Sequence, residues 1–285
     1  MIKRLSLLVA AWFAASSALA LDVSSPEGGL QALIKMRASL DGREVIADWK
    51  VTAFAVVPGQ RMRPLFRLDG FNAARMEKQG DGGWRMISRE VAYYRDLKTG
   101  EVLQRFANPL TGQTDDVLQV VNDPVNVAFP APTPTGRRVT LEASGDQLVL
   151  RQDVPLLYAN PVSPKEYPLE STGENYIASE HFTYFARAAD VLDDKQVSVP
   201  THYGWTRVGP WLPWMRMGAH AGHILYVGHG AKLSGPEQLD PVVRAYTEKH
   251  HPEFMKAPAA WSQPNETSWT YFRKQHPPQA ASSPK

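Results

Sequence analysis

The chain has 285 residues, 31 basic and 29 acidic side chains and no cysteine. Without thiols there is no disulfide, thiolate metal site, cysteine nucleophile or lipidated cysteine, so stability must come from a buried core, which this length can build. Lys3 and Arg4 lie in a leader-like segment, and without them 29 basic groups face 29 acidic ones. A formally neutral protein exerts no net field on phosphate backbones or anionic lipid, so nucleic acid is not an expected partner.

Residues 1–20 carry a positive start, an apolar core from Leu7 to Ala15, and Ala18-Leu19-Ala20, the pattern of a secretory signal peptide cleaved before Leu21. Export to the periplasm is expected. The apolar stretch is short for a membrane span, and no later run is long enough, so no integral span is expected after cleavage. Leu30 to Arg37 places apolar residues at 30, 33, 34 and 36, which predicts a short helix. From Val45 to Ala55 apolar residues alternate with Asp48, Lys50 and Thr52, the period of a half-buried strand. A second run, Pro64 to Met76, puts Phe66, Leu68, Gly70, Asn72 and Ala74 on one face, with a bulge expected at Gly70 and Asn72 pointing inward. Gly80 to Gly83 then turns the chain into Trp84 to Tyr94.

Ser88 to Asn126 is the organising stretch. Three alternating runs are joined by turns that close on Thr99-Gly100 and Thr111-Gly112 and open on Asp96 and Asn108, which predicts a three-strand antiparallel meander. Phe129 to Gly136 is too rich in proline for a central strand and reads as a connector. A hairpin around Ser144-Gly145-Asp146 follows, then a proline-rich loop from Pro155 to Gly173. Glu174 to Arg187 alternates again, and strand-like pieces follow at Val197 to Arg207 and His223 to Val227. Asp240-Pro241 predicts an N-cap and first-turn proline, opening a helix through about Lys249. Pro264 to Phe272 gathers aromatics into a terminal segment expected to seal one side of the fold, and the tail, 277–285, is expected to be disordered.

These signals predict a mainly β (α+β) fold: one domain over 21–276, a curved antiparallel sheet or lipocalin-like β-barrel with short helices near both ends. The segments Phe71–Met76, Ser88–Leu103, Asn108–Gly112, Asn122–Asn126, Pro210–Gly218 and Pro264–Phe272 resemble the bacterial and fungal domain-of-unknown-function family numbered 1838. The resemblance spans roughly Leu30 to Lys274. It implies one shared fold and carries no catalytic role with it.

The candidate acid is Glu180, which shares a strand face with Tyr176, Ala178, Phe182 and Tyr184. A carboxyl among aromatic rings loses water, its pKa rises unless a partner compensates, and it can serve as an acid or base. Arg89, among Ile87, Val91 and Tyr93, is its expected partner, as a structural bridge or a substrate anchor with Tyr184. Asn72 and Asn126 are candidate ligand contacts, although Asn122, Asp123 and Asn126 also fit a turn held by side-chain hydrogen bonds. Trp205, Trp211, Trp214, Met215 and Met217 read as core or as adaptable cavity walls, with Trp205, Trp214 and Met215 the candidate lining. His202, His220, His223 and His229 lack the spacing of a convergent zinc site, so no metal or other cofactor is predicted. No nucleophile elbow, Walker loop or dinucleotide fingerprint is present. The expected function is binding of a small apolar or amphipathic molecule in a barrel cavity, with Glu180 as acid or base of a cofactor-independent isomerase, hydratase or lyase. The alternative is a non-catalytic envelope protein that binds another protein through its loops.

Overall fold

A computed structural model describes residues 21–136 and 138–278; the predicted signal peptide, and the tail beyond 278, lie outside the described residues. The first helix, α1 (Pro26–Arg37), begins where Ser25 Oγ accepts the Gly28 amide at 3.0 Å and Pro26 supplies a φ already suited to a first turn. Then come β1 (Val45–Val56), β2 (Arg63–Lys78) and β3 (Trp84–Arg95), joined by tight turns. Four short strands follow: β4 (Arg105–Ala107), β5 (Thr114–Asp116), β6 (Val120–Asn122) and β7 (Val127–Phe129). The second half holds β8 (Leu141–Ser144), β9 (Gln147–Ala159), β10 (Asn175–Arg187), α2 (Ala188–Leu192), β11 (His202–Gly209) and β12 (His223–Leu233). Two helices, α3 (Pro241–His250) and α4 (Ser268–Gln275), end the chain. Asp240 Oδ1 accepts the Val242 and Val243 amides, so the Asp-Pro start of α3 is as the sequence predicts.

Ten strands form one antiparallel sheet in the order β6-β3-β2-β1-β12-β11-β10-β9-β8, with β7 beside β3. The first half builds outward from β1 to β6; the second half starts at the far edge, β8, and works inward until β12 pairs with β1. Residues from β3 and β6 near one end and β9 near the other line a single cavity, so the sheet curls around its inner face. It does not close into the expected barrel, because no ladder joins β6 to β8. The gap is bridged by the segment leading into α4. Asn126 and Asn265 exchange two hydrogen bonds (2.9 and 2.8 Å), the Glu266 amide donates to Pro124 O at 2.9 Å, and Trp269 packs edge-on against Tyr176 at 4.6 Å.

Side-chain parity divides the sheet into two faces. On the inner face lie Phe66 and Leu68 of β2, Val51 and Ala53 of β1, and Trp205 of β11, part of the main core with α1 and α4. The opposite face of β1 to β3 is also buried: Ile46, Phe71, Ala73, Val91 and Tyr93 pack under Leu239, Val243 and Phe254, from α3 and its flanking turns. The corresponding face of β9 to β12 is left partly open. One end of the hollow is plugged by Trp214, whose ring lies 5.1–5.8 Å from Tyr94, Phe66 and Phe106.

Several local expectations need correction. The Thr-Gly turns form, with Gly100 and Gly112 at φ 72° and 74°, but their strands do not make one meander. After the first turn only an isolated bridge, Arg95 to Val102, touches β3; β4 and β5 pair with each other, and β6 returns to β3. The expected Pro155–Gly173 loop begins only after Ala159, because 155–159 extend β9; proline is tolerated there because β8 reaches only as far as Leu150, leaving that side of β9 free. The second strand-like piece runs on to Leu233, and the one before it starts at His202 rather than Val197.

Gly70 is not a bulge; the register shift falls at Ala53/Phe54 instead. Gly70 pairs directly with Trp49 and Ala92, and a Cβ built on it would meet Val91 O at 2.3 Å and the Ala92 Cβ at 2.4 Å. Backbone and neighbour leave no room for a side chain. Gly70→Val is therefore expected to cost about 3 kcal/mol through overpacking, read as a lowered denaturant midpoint; a midpoint equal to wild type would refute the close approach.

Candidate binding and acid–base site

The hollow of the curled sheet is a cavity of about 350 Å³. Its walls are aromatic: Trp49, Tyr94, Tyr158, Tyr176, Phe182 and Trp205 are among them. The register explains why space remains. Across the inner face one row reads Ala92, Gly70, Trp49, Gly230 and Tyr203, so a large ring is flanked by two glycines and an alanine. Tyr203 lies across Gly230 and donates its hydroxyl to Asp48 O at 2.6 Å.

Into this apolar space project two carboxyl groups. The inner-face row beside the glycines reads Asn122, Glu90, Asn72, Ala47 and Lys232, and brings Glu90 between two amides. Asn122 Nδ2 donates to Glu90 Oε1 at 2.7 Å. Burial pushes the Glu90 pKa up; the Asn122 bond opposes this, the charge of Glu180 adds to it, and Arg207 opposes it. The second acid, Glu180 of β10, is cross-strand from Arg207 of β11, and Arg207 Nη1 lies 3.2 Å from Glu180 Oε1. The same guanidinium donates to the Tyr176 hydroxyl and sits 5.8 Å over the Tyr226 ring. Burial works against the Arg207 charge, but Tyr176, Glu180 and Tyr226 outweigh it and hold its pKa above the ordinary arginine value. Burial also raises the phenols around the site, Tyr158 to about 12.

Because the folded state favours the protonated form of Glu90, the unfolded chain releases that proton first as pH rises. Stability tied to this group is complete below the ordinary value of 4.5 and declines above it. Glu90→Gln, which keeps the shape without the charge, is expected to lose less stability than wild type as pH rises above the ordinary value of 4.5. Denaturant titrations at several pH values check this, and parallel pH profiles for the two proteins would contradict it.

Lys232 also borders the cavity, but its Nζ donates to Lys35 O (2.5 Å), Ala38 O (2.9 Å) and Ser198 Oγ (2.8 Å). Burial pushes its pKa down to about 7. Its three acceptors favour the ammonium form, so it ties the end of α1 to β12. Arg37, the last residue of α1, lines the cavity beside Tyr184, 5.8 Å over that ring, and donates to Gln152 Oε1 at 3.2 Å.

Of the residues chosen from sequence, Glu180, Tyr184, Asn72 and Trp205 line this cavity. Four do not. Arg89 lies on the opposite face of β3, 3.1 Å from Asp123 and donating to Glu253 O at 2.8 Å, so it cannot meet Glu180. The parity grouping of Arg89 with Ile87 and Val91 was sound, but that face is covered by α3 and the turn after it. Asn126 is spent on backbone, accepting from the Ser88 amide and donating to Ser262 O. Trp214 and Met215 belong to the end plug. Glu90, Arg207, Tyr176 and Arg37 were missed. Adjacency could have found Glu90: in Arg89-Glu90 the side chains must take opposite faces. Among the described residues no group of histidines and carboxylates is arranged to hold a metal ion.

No helix among the described residues is long and apolar enough to cross a membrane. No curated protein matches the chain significantly. A family model described as "Protein of unknown function (DUF1838)" matches residues 42–276, which takes in every cavity residue except Met36 and Arg37. The chain belongs to the DUF1838 family.

Proposed function

We propose that this is an exported protein that takes a small, largely apolar molecule into the hollow of its sheet and acts on it as a cofactor-independent isomerase, hydratase or lyase. The observation that carries the proposal is the pair of carboxyls, Glu90 and Glu180, held in different surroundings within one aromatic-walled cavity. Acids whose environments differ in this way divide into a proton donor and a proton acceptor. In an isomerisation of a β,γ-unsaturated carbonyl compound, the Glu180 carboxylate takes a proton from the carbon between the carbonyl and the double bond while the Glu90 carboxyl gives one to the carbonyl oxygen, forming a dienol. Glu180 then delivers its proton to the γ carbon, the double bond moves into conjugation, and Glu90 recovers its own proton from the oxygen, so the product has the composition of the substrate. Arg207 keeps Glu180 oriented, and Tyr184 with the other rings positions the apolar body.

Native mass spectrometry of protein purified from its own cell envelope is expected to find a retained small molecule. Glu180→Gln should keep the fold and the molecule but lose turnover. A protein that retains nothing and binds no apolar probe would remove the basis of the proposal. A second reading, docking of a protein partner, is favoured by the open face of the sheet, where the paired residues Leu157 and Ile177 are 72% and 65% exposed. It predicts that Ile177→Ser abolishes partner binding and leaves the retained molecule in place.

A further inference from the structure

We infer that the molecule held in the cavity carries a single anionic oxygen group on its apolar body, and that Arg37 is the residue that binds it. The inference rests on the proposal that the cavity is a binding site. It follows from accounting for each charged group that lines the hollow. Arg207 has its charge matched by Glu180 and donates to the Tyr176 hydroxyl, so among the described residues only its buried Nε–H is without a partner. All three Lys232 donors have protein acceptors. Glu266, which also borders the cavity, is paired with Lys274. Glu90 is shifted toward its neutral form by burial and its Asn122 contact is made.

Arg37 differs from all of these. Its guanidinium has five donor N–H groups, of which one bonds to Gln152 Oε1, and among the described residues no carboxylate forms an ion pair with it. It stands over the Tyr184 ring, which secures the cation's position without consuming its hydrogen-bonding edge. A planar fork of free donors at the side of an apolar hollow fits a carboxylate or similar oxyanion, which it can take through two parallel bonds. The remaining walls offer rings, not further charge. An apolar molecule with one acidic head therefore matches the site better than a neutral hydrocarbon, a cation or a dianion.

The test uses two fluorescent probes that share one aromatic skeleton, anilinonaphthalene sulfonate and its uncharged parent phenylnaphthylamine, titrated into the full mature chain. Wild type is expected to bind the sulfonate at least about tenfold more tightly than the parent, the scale of one charge-assisted contact. Arg37→Gln should abolish that preference and leave parent binding unchanged, and Arg37→Lys should restore part of it. The wild type supplies an independent readout: raising salt should weaken the sulfonate alone, and laurate should displace it where dodecanol does not. Equal affinity of the two probes, a preference untouched by Arg37→Gln, or displacement by dodecanol as good as by laurate would overturn the anionic-head inference. Failure of both probes to bind, or binding undiminished when Ala92→Phe fills the hollow, would instead overturn the cavity proposal itself.

Discussion

Replacing Arg207 with methionine is expected to destabilise the protein by about 3–5 kcal/mol, the cost of removing one partner of a largely desolvated ion pair. The side chains of Arg207 and Glu180 are only 22% and 18% exposed, so water compensates little for the lost contact. Methionine fills much the same volume, which confines the effect to charge and hydrogen bonding. It leaves the Glu180 carboxylate facing aromatic rings and strips the Tyr176 hydroxyl of its donor. The double variant Arg207→Met with Glu180→Leu should recover much of the loss, since two apolar residues can pack where an unmatched charge cannot. Urea unfolding of the two single variants and the double variant gives the coupling directly. A coupling below about 0.5 kcal/mol would mean the pair behaves as a surface salt bridge, and the view of Arg207 as the group that orients Glu180 would fall with it.

The second large effect concerns the C-terminal segment. Ending the chain at Gln263 removes the clasp between Asn126 and Asn265 together with the buried Trp269 and Phe272. Burial of those two side chains is worth roughly 3–6 kcal/mol, against a total stability of about 5–15 kcal/mol for an ordinary domain. The truncation also uncovers the outer edge of β6, Tyr158 and Tyr176, that is, an open strand edge and an apolar surface. The shortened protein is expected to aggregate or to be cleaved rapidly by protease, as read by size-exclusion chromatography and limited proteolysis. A soluble monomer that melts at the wild-type temperature would show that the segment is dispensable packing.

Period-two alternation made β1, β2, β3 and β10 legible from sequence, and capping chemistry located the start of α3 to the residue. These are local signals, written within a dozen residues of one another. What could not be read was which strands pair at long range and what covers each face. On β3 the inner residues border the cavity and the outer ones lie under α3, so both faces are apolar and parity alone cannot say whether Arg89 or Glu90 points inward. The site inherits that ambiguity: Glu180 was found because its own strand face is aromatic, whereas Arg207 sits on β11 between Thr206 and Val208 with no local sign of its role. The Thr-Gly turns were correctly placed, yet the strands they join find partners set by distant chain. The terminal segment was identified as a seal from its aromatic content, although its helix was not.

A sheet shut by a strap instead of by a final hydrogen-bonded ladder has two separable stabilities. Peeling the strap breaks side-chain contacts and a few hydrogen bonds, while the path of nine paired strands remains intact. If the hollow holds a molecule as proposed, that molecule can exchange on the timescale of the local opening, far faster than unfolding of the whole protein. Amide hydrogen exchange would display the split: the amides of α4 should exchange well ahead of those in β1 and β2, and a ligand seated in the hollow should slow the former without changing the order.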